Sequence, residues 1–261
     1  MAVSSPRSPM WLRHGLAALG IAAALGGCAG QTEPEVNDTA ALYGYEPPND
    51  PIEPVNRAIF AFNLEADRYV LEPAARAYDE LPPELRDIVR NLIRHIGSPV
   101  ILANSLLQGN LDRAGNTAAR IFINTFTLGT GDMAAPDHPY RAEDFGQTLG
   151  SYGADEQFYL VLPLLGPSSG RDALGMVVDI FLDPLYYHDG TASTAYSISS
   201  TAVSGIDLRA RKLGVLADLE QDSVDFYARL RSLYLQRRDA QIRNDDDAFP
   251  AGPAVSGDDG L

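Results

Sequence analysis

Apolar residues recur at helical spacing along most of this chain. Between residues 50 and 69, Val55, Ile59, Phe62, Ala66 and Tyr69 fall on one stripe, the recurrence of an amphipathic helix. Asp50-Pro51-Ile52-Glu53 has the order of a capping box with proline at the first helical position. Pro54 complicates that register and leaves Glu53 as an alternative cap, and Pro73 is expected to end the segment. Phe60 lies off the stripe, so a single protein core would not readily bury both Phe60 and Phe62. A helix between the fold and acyl chains would, and Ile59, Phe60 and Phe62 are therefore expected to seat this helix at a membrane.

Pro82 and Pro83 open the clearest helix. Leu85, Ile88, Val89, Leu92, Ile93 and Ile96 form one face, and Glu84, Arg86, Asp87, Arg90 and Arg94 the other. Gly97 is expected to close it, and Ser98-Pro99 to start a short helix through Leu107. Another helix runs from about residue 112 to 126, with Ala114, Ala118, Ile121, Phe122 and Thr125 on one side. Gly146, Gly150 and Gly153 make residues 145–153 a poor isolated helix. Residues 158–165 are apolar and of strand length, but Pro163 argues against a central strand. An extended buried segment or one short hairpin remains. Residues 171–181 read as a helix ended by Asp183-Pro184, and 191–204 as the least readable stretch. Residues 206–242 read as one or two helices, with Val224, Tyr227, Leu230 and Tyr234 as apolar seam and Arg229, Arg231, Arg237 and Arg238 as basic side. The pattern predicts a mainly α, compact multi-helix domain with little or no β.

The two ends read differently. Residues 16–27 are uncharged and mostly apolar, follow Arg7 and Arg13, and run into the small residues before Cys28. That is a secretory signal, too short for a stable transmembrane helix. Residues 1–27 are thus the signal, 28–49 a polar proline-bearing tether, 50–243 the helical domain and 244–261 a disordered acidic tail. Leu25-Gly26-Gly27-Cys28 resembles the bacterial lipobox, in which the cysteine takes a diacylglycerol and, after cleavage, a third acyl chain. Cys28 is the only cysteine. Ala29 follows it, where an aspartate would commonly retain a lipoprotein in the inner membrane, so the outer membrane is expected. The formal net charge of −15 argues against nucleic acid as a partner and against electrostatic adhesion to anionic lipid.

Candidate chemistry is sparse. Gly166-Pro167-Ser168-Ser169-Gly170 fits G-x-S-x-G after an apolar run and before a helix, which makes Ser168 a candidate nucleophile. The competing reading is that Ser168 or Ser169 caps the following helix. His95, His138 and His188 are far apart in sequence, and His95 reads as a solvated helix residue. No catalytic residue, metal or cofactor is expected.

Six further stretches resemble one family. They are residues 49–63 (NDPIEPVNRAIFAFN), Asn104-Ser105-Leu106-Leu107-Gln108-Gly109, residues 120–131 with Asn124-Thr125, and Asp144-Phe145-Gly146-Gln147-Thr148-Leu149-Gly150. Residues 159–167 followed by Arg171-Asp172, and Tyr234-Leu235-Gln236-Arg237-Arg238, complete the set. In this order they are similar to the MlaA/VacJ outer-membrane lipoproteins, over roughly residues 49–242. Asp155-Glu156-Gln157 and residues 191–204 depart from the family pattern.

The resemblance implies a helical ring in the inner leaflet of the outer membrane, with an amphipathic pore. It implies removal of mislocalised phospholipid from the outer leaflet and delivery to a periplasmic lipid-binding carrier of an ABC-transporter pathway. A trimeric porin is the implied outer-membrane partner. Asn63, Asn124 and Thr125 are candidates for the lipid path. Such transport changes no bond and needs no nucleophile. The alternatives are a lipid hydrolase using Ser168 and a structural lipoprotein bracing an outer-membrane complex.

Overall fold

The computed structural model describes residues 50–187 and 191–246. The signal, Cys28, the tether, His188 and the tail beyond Asp246 lie outside the described residues. Helix α1 spans Glu53–Ala66 and runs through a π-helical turn, Asp67–Leu71, into α2, Glu72–Asp79. The chain therefore stays helical through Pro73. A proline inside an α-helix lacks a donor and strikes the carbonyl four residues back. Here the wider turn precedes it, and Pro73 sits in the first turn of α2, where its missing N–H matters least. The expected capping box is absent too: the α1 N-cap is Ile52, without a side-chain cap.

Helix α3, Pro83–Leu107, is one 25-residue helix with Gly97 and Pro99 inside it. The expected break at Gly97 does not occur. Helix α3 packs along α4, Leu111–Thr125, and this contact holds it continuous past the donor that Pro99 lacks. Asn110 caps α4, its Oδ1 accepting from the Arg113 amide at 3.1 Å. Helix α5, Phe145–Ser151, is capped by Asp144, which accepts from the Gln147 amide at 2.9 Å. The cap compensates for the glycines that make this stretch a weak helix alone.

Strands β1, Tyr159–Leu162, and β2, Gly166–Ser169, pair antiparallel, with Tyr159 opposite Ser169 and Leu162 opposite Gly166. Pro163 falls in the turn, so it removes no ladder bond, and Leu164 and Gly166 take left-handed backbone (φ 64° and 84°) to close it. The hairpin alternative is the one observed. Helix α6 is Gly170–Leu182, followed by a 3₁₀ turn, Pro184–Tyr187. Then come α7, Thr191–Ala210, α8, Leu213–Gln221, and α9, Phe226–Ile242. Residues 206–242 thus hold the end of one helix and two more. The protein is mainly α, and among the described residues β structure is confined to the hairpin.

The apolar core is small. Among the described residues its cluster is Tyr159, Val161 and Tyr227, with Ile59, Phe60, Tyr234 and Leu235 packed against it, while Ile101 and five alanines are also buried. The Phe60 ring lies 5.5 Å from both Phe226 and Tyr227. Phe60 and Ile59 therefore face inward, contrary to expectation, while Phe62 is 55% exposed. Asn56, Ile59, Phe60 and Asn63 share the inward face, at the i, i+3, i+4, i+7 spacing. Scoring only apolar positions rotated that face away from its polar members.

The first acidic residues of the expected tail belong to the fold. Asn244 takes left-handed backbone (φ 58°) just past α9, and Asp246 pairs with Arg113 at 2.7 Å and Arg141 at 2.9 Å.

Candidate functional site

Helix α6 is built inside out. Asp172, Gly175 and Asp179, at i, i+3 and i+7, turn towards the protein, while Leu174, Val177, Ile180 and Phe181 are exposed. Asp172 receives Arg238 at 2.8 Å on each oxygen, together with the Tyr234 hydroxyl. Arg238 also donates to both oxygens of Asp144, at 2.7 and 2.9 Å. Asp179 accepts from the Phe145 amide and, at 2.8 Å, from Asn104. Asn104 in turn accepts from the Thr148 hydroxyl at 2.9 Å. One polar node thus joins α3, α5, α6 and α9. It brings together four of the stretches that carry the family resemblance, through Asn104, Asp144, Asp172 and Arg238.

Glycines allow the node to close. A Cβ on Gly175 would lie 2.4 Å from the Gly146 nitrogen, and one on Gly146 would lie 2.5 Å from an Asp172 oxygen. Burial pushes the Asp172 carboxyl up, but hydrogen bonds from Arg238 and Tyr234 outweigh it and hold the group below the usual carboxylate range. Burial prevails at Asp179 and raises it.

The same inversion recurs elsewhere. In α4 the inward residues are Arg113, Ala114, Thr117, Arg120 and Asn124, while Phe122 and Phe126 are exposed and stacked edge to face at 5.5 Å. Arg113 pairs with Glu143 at 2.6 Å and Arg120 with Asp132 at 2.7 Å. In α3, Leu85, Ile88 and Leu92 are exposed. Arg90 reaches Asp207 at 3.0 Å, and Arg94 lies over the Tyr140 ring at 4.5 Å. Several arginines read as the charged or basic side of their helices, including Arg231 and Arg238 of α9, point inward. His95 is half-buried, not solvated, and packs at Gly129.

Two asparagines of α1 grip the hairpin. Asn56 donates to the Tyr159 carbonyl at 3.1 Å and accepts from the Val161 amide at 2.9 Å. Asn63, two turns on, donates to the Leu162 carbonyl at 2.9 Å and accepts from the Leu164 amide at 2.8 Å. Two helical turns and three strand residues both advance about 10 Å, so the side chains serve the open edge of β1 as a partner strand would. Asn56 also donates to Asp50 at 2.7 Å, and Asp50 receives Arg231 at 2.7 Å and the Tyr227 hydroxyl. Asn56→Asp is expected to destabilise the domain by about 2–4 kcal/mol, since it removes two donations and sets one carboxylate against another. Denaturant unfolding checks this, with Asn63→Ala expected to cost less because its partners are less buried.

Asn124 donates to Asp132 at 2.9 Å and accepts from the Ala134 amide at 3.1 Å. The Thr125 hydroxyl donates to its own helix at 2.6 Å. The amides of Asn63 and Asn124 therefore hold backbone and side chains in place.

Ser168 lies within β2, is 1% exposed, and its hydroxyl donates to the Ser169 carbonyl at 3.4 Å. An elbow serine stands exposed on a strand-to-helix turn, and Ser168 does not. Ser169 is the cap of α6, accepting from the Asp172 amide at 3.1 Å. Ser169→Ala should therefore cost about 0.5–2 kcal/mol of stability, and Ser168→Ala less. Thermal melts of the two variants test the order.

Among the described residues, no three His, Cys, Asp or Glu side chains converge as metal ligands, and no helix is long and apolar enough to cross a membrane. A cleft of about 630 Å³ runs between α8 and α9, lined by Asp218, Asp222, Asp225 and Arg229 with Val215 and Val224.

Polar and ion-paired groups turned inward and large apolar groups turned out on α3, α4 and α6 set these helices apart from those of a water-soluble bundle. The chain belongs to the MlaA lipoprotein family, whose model matches residues 48–241. It is 32% identical over 237 residues to the intermembrane phospholipid transport system lipoprotein MlaA of Haemophilus influenzae, covering 88% of this chain and 90% of that one. Against the protein of the same name from Escherichia coli K12 it is 33% identical over 200 residues, covering 73% and 77%. A solved chain from work described as "Structural basis for maintenance of bacterial outer membrane lipid asymmetry" superposes with a TM-score of 0.65 at 32% identity, covering 74% of this chain and 98% of that chain.

Proposed function

We propose that this protein is an outer-membrane lipoprotein of intermembrane phospholipid transport. It removes mislocalised phospholipid from the outer leaflet and passes it to a periplasmic lipid-binding carrier, so that the membrane stays asymmetric. The observation that carries this reading is the inverted polarity of α3, α4 and α6. A phospholipid moves slowly between leaflets because its charged head must leave water, and an uncompensated buried charge is costly. A protein with apolar faces towards the acyl chains and polar groups inside offers the head hydrated or hydrogen-bonding surroundings while the tails stay in lipid. The ring-like seat in the inner leaflet, the trimeric porin and the carrier are the partners and placement that the family resemblance implies. No bond is made or broken, and the burial of Ser168 supports transport over hydrolysis.

The test is a strain lacking this protein. Surface-exposed phospholipid is expected to rise, and to fall again when the chain, or its Ser168→Ala variant, is restored. Serine-dependent release of fatty acid by the purified protein would overturn the reading in favour of an enzyme. The anchor is tested separately. Mass spectrometry of the membrane-extracted protein is expected to find acyl chains on Cys28 and none on Cys28→Ala, and an unmodified Cys28 would refute lipid anchoring.

A further inference from the structure

The end of α6 carries an aromatic ladder that neither the core nor the polar node uses. Phe181 and Tyr186 meet edge to face at 5.2 Å, and Tyr186 and Tyr187 at 5.4 Å. All three are exposed, Tyr187 at 68%. The rings are held in place: Asp183 accepts from the Leu185 amide at 2.9 Å, and the Tyr187 hydroxyl donates to the Phe181 carbonyl at 2.8 Å. A contiguous set of exposed aromatic rings, held by these contacts, marks an interaction surface.

The outer face of α6 says what that is. Leu174, Val177 and Ile180 are exposed, whereas the helix's ionisable residues, Arg171, Asp172 and Asp179, turn inward. Thirteen residues make a helix about 20 Å long, more than half of the roughly 30 Å hydrocarbon core of a bilayer. Apolar side chains along such a helix, ending in rings with hydroxyl groups, match the order of acyl chains and then headgroups. Tyrosine gathers at that boundary because its ring is apolar and its hydroxyl polar. A protein partner covers one patch, whereas exposed apolar faces recur on α3, α4 and α6.

We propose that Phe181, Tyr186 and Tyr187 form an anchor at the headgroup boundary of the bilayer, with Leu174, Val177 and Ile180 in the acyl chains. This inference rests on the membrane-seated transport reading and deepens it by fixing the depth and direction of α6.

The natural chain makes the test clean, because Trp11 is its only tryptophan. Trp11 lies in the signal that cleavage before Cys28 removes, so in the mature lipoprotein Tyr187→Trp and, separately, Val177→Trp supply single reporters. Tyr186→Trp replaces Tyr187→Trp if the latter misfolds by circular dichroism. The full lipoprotein is reconstituted into phosphatidylethanolamine–phosphatidylglycerol vesicles carrying lipids brominated either near the headgroup or near the middle of the acyl chain. Tyr187→Trp is expected to lose most of its emission to the shallow bromine, and Val177→Trp to the deep one. If Val177→Trp is quenched by bromolipid but Tyr187→Trp only by aqueous acrylamide, the anchor is wrong while membrane seating stands. If neither responds to bromolipid, both fall. Protection of both sites from lipid and aqueous quenchers assigns the patch to a protein and overturns the proposal.

Discussion

Arg238→Met is expected to destabilise the domain by about 3–5 kcal/mol, the cost of removing one partner from a buried ion pair. The arginine is bidentate to Asp144 and to Asp172 at once, and the Asp172 side chain is only 5% exposed. Methionine fills much of the same volume, so the loss reports the stranded carboxylates rather than a cavity. Adding Asp172→Leu to the variant should recover part of the loss, since removing both members of a pair is far milder than removing one. The pH dependence has a definite sign. Arg238 and Tyr234 hold Asp172 below the usual carboxylate range against the effect of burial. Its contribution is therefore complete above the ordinary carboxylate pKa of about 4 and is lost as pH falls through the lower folded value. Denaturant unfolding across that range should show an acid-sensitive limb that is weaker in Arg238→Met. An unchanged midpoint at neutral pH would mean that the node does not hold the helices together.

Gly175→Ala should be nearly as damaging, at about 3 kcal/mol or more. Its Cβ would meet the Gly146 nitrogen at 2.4 Å and Cα at 2.8 Å. Backbone atoms cannot swing aside as a side-chain end can, so α5 and α6 must separate, which stretches the Asp144–Arg238–Asp172 bonds that span them. Overpacking in a close contact typically costs about 1–3 kcal/mol, and occasionally more. Gly97→Ala is the matched control. It lies inside α3 with nothing within 4 Å of the added carbon and should stabilise by about 0.5–1 kcal/mol, the helical advantage of alanine over glycine. Thermal melts of the pair separate a glycine required by close approach from one that is merely tolerated. Equal effects would overturn that distinction.

Motifs read along the chain marked several node residues before their contacts were known. Asp144, Asp172 and Arg238 stand in three separate stretches noted for their resemblance, up to 94 residues apart where they bond. Nothing local signals that they meet. In the sequence Gly146 reads only as a weakness of an isolated helix and Gly175 carries no signal, because their use depends on what crosses them. Asn56 stood beside the apolar stripe without being singled out. Its seven-residue spacing from Asn63 was the available signal, and it gains meaning only once a strand edge lies alongside α1.

The helical stretches of α1, α3, α4 and α6 and several of their ends were legible in the sequence, with a short hairpin as one of two readings of residues 158–165, because hydrogen bonds four residues apart, caps and proline sterics are local. Continuity across Pro73 and Gly97 was decided by the tertiary structure, which supplies a π-helical turn in one case and the α3–α4 packing in the other. So was the inward side of each helix. An amphipathic pattern has the same period whether its apolar stripe faces a core or faces lipid, so periodicity alone identifies two faces without saying which is inside. That choice is made by long-range partners: Arg90 finds Asp207, Arg113 finds Glu143, and Arg238 finds Asp144 and Asp172. Each pairing draws its arginine inward and leaves Leu85, Phe122 and Ile180 on the outside.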